Sequence, residues 1–169
     1  DTASVDYVHT SGVLHHLPDP LGTLRELRRV LRPGGMARAM VYNHDSVWMH
    51  LFVAYVKRVV EGKFQNLTLE DAFGRTTDGE ECPIARAYRP GEFVALAAEA
   101  GFAAEFSGAA VSMFEAKLLP QRFDAIQHRG LPEESRRFLV NLTVDAHGLP
   151  RHGNHRAGID GCYVLRPAP

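Results

Sequence analysis

Cysteine is scarce in this chain. Only two of its 169 residues are cysteine, Cys82 and Cys162, far apart and in unlike surroundings. Neither C-x-x-C nor zinc-ribbon spacing occurs, which argues against a disulfide framework or a cysteine metal site. The thiols read as reduced residues of a cytoplasmic protein. Long apolar runs are also missing. The most apolar segment, Val47 to Val60, is broken by His50, Lys57 and Arg58 and falls short of the ~20 residues a bilayer span needs. Nor is there an excess of charge of one sign: 19 Lys and Arg stand against 20 Asp and Glu, a net charge of −1. That balance gives no electrostatic basis for binding nucleic acid or a membrane surface. Internal repeats and low-complexity tracts are absent too. What remains, 45% hydrophobic and 23% charged residues, is the composition of a globular domain.

The most informative stretch runs from Ser4 to Gly35. Val5, Tyr7 and Val8 have the β-branched and aromatic character of a strand, which breaks at Ser11-Gly12 just before the pair His15-His16. Asp19 followed by Pro20 suits a helix N-cap with proline at the first helical position. Leu24, Leu27 and Leu31 recur at helical spacing, with Arg25, Glu26, Arg29 and Arg32 on the other side, so an amphipathic helix is expected to lie on a sheet. Pro33-Gly34-Gly35 reads as its stop, and Met36 to Tyr42 as a second strand. Strand, helix and strand within about forty residues form a βαβ unit, hence an α/β fold with these two strands parallel. Ligands of such sheets gather beyond the C-terminal strand ends, here Ser11 to His16 and Tyr42 to Asp45.

GVLHHLPDP, then LRELRRVLRPGG, then a strand ending in tyrosine, resembles class I S-adenosylmethionine-dependent methyltransferases, above all the group containing the ubiquinone and menaquinone biosynthesis enzymes. The resemblance is strongest over Val5 to Tyr42, about a quarter of the chain. It extends more weakly over Tyr88 to Val111 and Gly158 to Arg166. It implies a Rossmann-like sheet in which these strands are the family's strands 4, 5, 6 and 7, the last antiparallel. It also implies S-adenosylmethionine as cofactor. The family's glycine-rich loop after its first strand, and the acidic residue ending its second, have no counterpart here, because no G-x-G-x-G occurs. The expectation is therefore that residues 1–169 form the C-terminal half of the domain, a fragment inactive by itself. Helical insertions are expected near 46–88 and 117–144.

Asp45 or Ser46 can cap a helix bearing Trp48, Leu51, Phe52, Tyr55, Val56 and Val59. This insertion is expected either to roof the strand ends as part of a substrate pocket or to serve as plain packing. Residues 70–88 read as mixed and turn-like. Arg86, Tyr88 and Arg89 offer guanidinium forks for an anion, or ordinary surface charge. Pro90 starts a helix that Gly101 ends, and Phe102 to Val111 follows as a strand. Residues 117–144 read as two helical pieces split by Gly130-Leu131-Pro132, with Phe138, Leu139 and Leu142 inward. Gly148 to Gly158 reads as a loop and Ile159 to Leu165 as the last strand.

By resemblance, Ser11, Gly12, Val13 and His15 are the cofactor-binding residues, and Gly12 suits close backbone approach because it lacks a Cβ. His16 is the candidate catalytic residue, as a base or acceptor-orienting imidazole, with helix-start hydrogen bonding as the alternative. Tyr42, Asn43 and His44 are candidate substrate contacts. His147, His152 and His155 share a loop, but their spacing matches no standard zinc site, so no metal is expected. The function implied is methyl transfer to a small-molecule acceptor, with no nucleic acid or membrane partner. The alternatives are a non-catalytic methyltransferase-like module that binds a partner, and, less well matched, another nucleotide-binding α/β domain.

Overall fold

The computed structural model describes residues 1–168. A five-stranded sheet organises it, with β1 (Val5–Ser11), β2 (Leu31–Asn43), β8 (Asp160–Pro167) and β4 (Phe102–Ala110) side by side in that order. β1 runs parallel to β2, whereas β8 lies between β2 and β4 and antiparallel to both. The fifth strand, β3 (Ala87–Tyr88), pairs parallel with Tyr42 and Asn43 at the end of β2.

Between β1 and β2 stands helix α1 (Pro20–Val30), with Pro20 at its first position and Asp19 as its cap. The Gly22 amide donates to Asp19 Oδ1 at 2.8 Å. Leu24 is fully buried beneath it. Pro33-Gly34-Gly35 does not act as the expected helix stop: α1 ends at Val30, and β2 begins at once with Leu31. The three residues widen the strand instead, and the pairing skips from Val5–Leu31 to Tyr7–Met36. Gly34 takes φ +80°, and a Cβ on Gly35 would stand 2.9 Å from the Asp6 carbonyl oxygen. Only glycines fit this bulge.

One face of the sheet is covered. Ala37, Ala39 and Val41 of β2 and Tyr163 and Leu165 of β8 pack with Leu24 of α1 and with Phe93 and Ala97 of α3 (Pro90–Glu99). The registers put Tyr7, Arg38, Met40, Cys162 and Val164 on the opposite face, where all are exposed or half-buried.

A second core lies past the strand ends, where Met49, Leu51, Val53, Phe73, Leu118, Phe138 and Leu139 meet. Its spine is a π-helix, Trp48–Val60. This winding, rare at such length, changes which residues face inward. Met49, His50, Leu51, Val53 and Ala54 are buried, while Trp48, Phe52, Tyr55 and Val56 pack at the margin. The turn-like reading of residues 70–88 is corrected by α2 (Leu69–Asp78), capped by Thr68 Oγ1 accepting from the Asp71 amide. The two helical pieces expected over 117–144 are three helices beginning earlier: α4 (Met113–Leu118), α5 (Arg122–Gln127) and α6 (Glu133–Asn141). Ser112 and Glu115 cap the first reciprocally. The end of the expected helical stretch, β5 (Thr143–Val144), joins β6 (Pro150–His152) and β7 (His155–Arg156) from the expected loop 148–158 in a small second sheet. No helix among the described residues is long and apolar enough to cross a membrane.

Candidate active site

β1 ends at Ser11, beside Met40. The chain then turns away through Gly12, whose amide donates to the Met40 carbonyl at 3.3 Å. Gly12 has φ +72°, and a Cβ there would find only the Met40 methyl carbon, at 4.0 Å. Ser11 and Val13 on either side are exposed. The turn is therefore an open stretch of backbone at the C-terminal edge of the sheet, shaped to let a ligand approach closely. That fits one side of a cofactor cradle.

A single 3-10 turn, Leu14–His16, follows. Leu14 enters the sheet core, and both histidines meet the end of β2. The Tyr42 amide donates to His15 Nδ1 at 3.2 Å, and the two rings stack with centroids 3.8 Å apart. Burial, and next the neighbouring His16, push His15 down to about 4, so it is neutral at physiological pH, with its proton on Nε2. That imidazole is fully enclosed. His15, expected at the cofactor, is in contact with Tyr42.

His16 keeps 31% of its side chain exposed. Its Nδ1 lies 2.7 Å from the Ile84 carbonyl oxygen. A carbonyl can only accept, so Nδ1 carries the proton and Nε2 the lone pair when the ring is neutral. Nε2 stands 3.7 Å from Asp78 Oδ1, to which the Tyr42 hydroxyl also donates at 2.7 Å. Burial, and then the bond to Asp78, raise the Tyr42 pKa well above the ordinary phenol range, so the hydroxyl stays protonated. Cys82 Sγ is 3.9 Å from His16 Nδ1. The segment returning from α2 to β3 is tied down by the Arg86 amide, which donates to the His15 carbonyl at 3.0 Å. Asp78 and Cys82 belong to this cluster and were not singled out by sequence reasoning. Apart from Asp78 sitting at a helix end before Gly79, the sequence gives no cue to them.

Tyr42 joins His16, but Asn43 and His44 do not. The Asn43 side chain is buried and spent on structure: its Nδ2 donates to the carbonyls of Asp45 and Gly158, both at 2.9 Å. His44 is buried against Asp45 and His50. Neither is free to meet a substrate beside His16. Arg86 and Arg89, considered for an anion, are occupied within the chain, Arg86 by the Leu17 carbonyl and Arg89 by Glu92 and Glu134. His147, His152 and His155 form no metal-binding group of their own among the described residues.

The model of a methyltransferase domain family (Methyltransf_11) matches residues 1–39. An uncharacterized chloroplastic methyltransferase of Arabidopsis thaliana is 36% identical over 58 residues, covering 34% of this chain and 16% of that protein. A S-adenosylmethionine-dependent methyltransferase of Thermotoga maritima superposes with a TM-score of 0.51 at 14% identity, covering 98% of this chain and 57% of its own. Phosphoethanolamine N-methyltransferase 2 of Haemonchus contortus, solved with S-adenosylhomocysteine, superposes at a TM-score of 0.45 and 14% identity, over 99% of this chain and 34% of its own. The chain thus spans little more than half the length of the Thermotoga enzyme and a smaller part of the other two. The chain is thus similar in sequence to a methyltransferase domain over residues 1–39, and over nearly its whole length it shares the fold of the Thermotoga S-adenosylmethionine-dependent methyltransferase.

Proposed function

We propose that this chain is the C-terminal part of a domain that transfers a methyl group from S-adenosylmethionine to a small-molecule acceptor, with His16 as the base. The observation that carries the reading is the His16–Ile84 hydrogen bond, which leaves the lone pair of a partly exposed imidazole on Nε2. When bound, S-adenosylmethionine supplies an electrophilic methyl group. The backbone from Ser11 to Val13 would face its methionine end, where Gly12 leaves room. His16 Nε2 takes the proton that a hydroxyl or amine acceptor gives up on methylation. Tyr42, held by His15 and Asp78 beside His16, orients the acceptor. Positioning of this kind is worth up to about 7–11 kcal/mol.

The partial-domain reading is supported by the sheet itself. Mixed and parallel α/β sheets normally carry helices on both faces. Here α1 and α3 cover one face only, and β1 is an open edge. The glycine-rich loop and ribose-binding carboxylate of the family would come from preceding sequence. A non-catalytic, partner-binding module is the second reading, favoured by the same bare face.

Calorimetric titration with S-adenosylmethionine tests the proposal on two proteins, this chain and the same chain preceded by its upstream coding sequence. Binding is expected only in the longer protein, where His16→Ala lowers turnover while leaving cofactor affinity in place. Micromolar binding by the 169-residue chain as a monodisperse monomer would sink the partial-domain reading. No cofactor binding by the longer protein would favour the non-catalytic one.

A further inference from the structure

Beyond the end of β2 the chain bends into the π-helix, and the bend brings His44, Asp45 and His50 together. Each presents one ligand atom, all within 4.8 Å of one another. Both imidazoles are 1% exposed, with ring centroids 5.0 Å apart. Asp45 Oδ1 is 3.3 Å from His44 Nδ1, and its Oδ2 is 3.9 Å from Nδ1 of His152 on β6. Three imidazoles and a carboxylate therefore converge from two stretches far apart in sequence, residues 44–50 and β6.

We propose that His44, Asp45 and His50, completed by His152, bind a divalent transition-metal ion of the zinc class. Three nitrogens and one carboxylate oxygen are a donor set for zinc and its neighbours, whereas magnesium and calcium favour oxygen alone. Metal-binding histidines are generally held through their second ring nitrogen, and α6 supplies such partners. Ser135 Oγ lies 3.1 Å from His50 Nδ1 and is itself buried. Near His44 Nε2 stand Glu134 Oε1 of α6 at 3.7 Å and Glu70 Oε1 of α2 at 3.9 Å, beyond hydrogen-bond distance but close enough to engage on a small shift. An ion can enter through a cavity of about 300 Å³ lined by Asp45, His50, Glu134, Phe138 and His152.

Three arginines face the site: Arg89, its Nη2 lying 3.2 Å from His44 Nε2, Arg137, which lines the same cavity and pairs with Glu133, and Arg156, which lines a pocket with Asp45 and His152 and pairs with Asp145. Ligation through Nδ1 requires a proton on Nε2, which then donates to Glu134. Arg89 keeps Glu92 as its partner in that arrangement. A second group, His16, Asp78 and Cys82, also has metal-binding spacing and provides the internal comparison.

The test uses the tag-free chain, stripped with a chelator and titrated with Zn²⁺ against a chromophoric competitor. Co²⁺ serves as the optical probe, and X-ray absorption reads the ligand atoms. One zinc per chain is expected, with nitrogen and oxygen scatterers only and the visible absorption of four-coordinate Co²⁺. Asp45→Asn and His50→Ala should each weaken zinc at least about tenfold. His152→Ala, at a side chain 36% exposed, should do the same without threatening the fold. Cys82→Ser should change nothing. The proposal is overturned if the chain takes up no zinc against the competitor, if sulfur appears among the scatterers, if Cys82→Ser releases the metal, or if His152→Ala and Asp45→Asn both retain full affinity. None of these outcomes depends on methyl transfer.

Discussion

The Tyr42 hydroxyl donates to Asp78 Oδ1 at 2.7 Å, bridging 36 positions of sequence. This bond pins the last residue of α2 to the end of β2, and so holds the segment that carries Cys82 and Ile84 over His16. The other Asp78 oxygen is enclosed without a hydrogen-bond partner, so the carboxylate depends on Tyr42. Tyr42→Phe should cost about 1–3 kcal/mol, the penalty for leaving a buried acceptor unpaired. Asp78→Asn, which keeps an acceptor oxygen, should cost less. Urea unfolding of the two variants reads the difference, and a Tyr42→Phe variant as stable as the parent would show that the bond clamps nothing.

Acid should unfold this protein early. His15 is lowered to about 4 and His50 to about 3, in both cases chiefly by burial. Unfolded, each titrates near 6.5, so between these values the unfolded chain binds more protons. Their contribution is complete above about pH 6.5 and is lost as pH falls toward the folded values. The slope should approach about 1.4 kcal/mol per pH unit for each histidine. Thermal melts from pH 7.5 to 4.5 in the presence of a chelator measure it. His50→Gln, with no titrating ring, should flatten part of the curve even where it lowers stability at neutral pH.

Among the glycines described, Gly158 leaves the least room for a side chain. A Cβ there would lie 1.8 Å from the Ala110 carbonyl oxygen, and the Gly158 carbonyl accepts from buried Asn43. Neither neighbour is a flexible side chain able to swing away. Gly158→Ala should therefore destabilise by about 1–3 kcal/mol or more, the range for overpacking. Gly91→Ala, where a Cβ meets nothing within 4 Å, is the matched control. Equal melting temperatures for the two variants would contradict the geometry.

Much of the frame was legible in the sequence because local signals agreed with the tertiary answer. Asp19-Pro20, Pro90 and Gly101 sit where capping chemistry puts them, and the four long strands follow their β-branched and aromatic runs. The failures have physical causes. The helix Leu69–Asp78 is hidden in a mixed stretch whose end is turn-like, with Thr76, Thr77 and Gly79, although Thr68 and Asp71 form its cap. The inward face of Trp48–Val60 follows a π-helix and not the 3.6-residue period its sequence suggests. That Gly12, His16 and Tyr42 lie together was legible because they follow or end neighbouring strands. The place of Asp78 and Cys82 was not, since only the fold brings their loop back across β2. Nor was the company His44 keeps, which depends on where His50 and Ser135 arrive.

The last prediction concerns the side of the sheet where β1 lies. Val5–Ser11 pairs with β2 along one side only, so its other row of amides and carbonyls is open. Tyr7, 51% exposed, stands on the uncovered face with Arg38 and Met40. An open edge next to exposed apolar side chains recruits another strand unless charge or proline blocks it; β1 has no proline, and its one charged residue, Asp6, is paired with Arg32. The 169-residue chain alone should therefore self-associate as its concentration rises. Tyr7→Lys, which puts a charge on that face without touching the covered one, should shift the association to higher concentration and leave the melting temperature close to that of the parent. Sedimentation velocity over a hundredfold range of concentration distinguishes the outcomes. A single monomeric species throughout would mean that the edge is protected by something other than missing neighbours, and the partial-domain reading would lose its structural support.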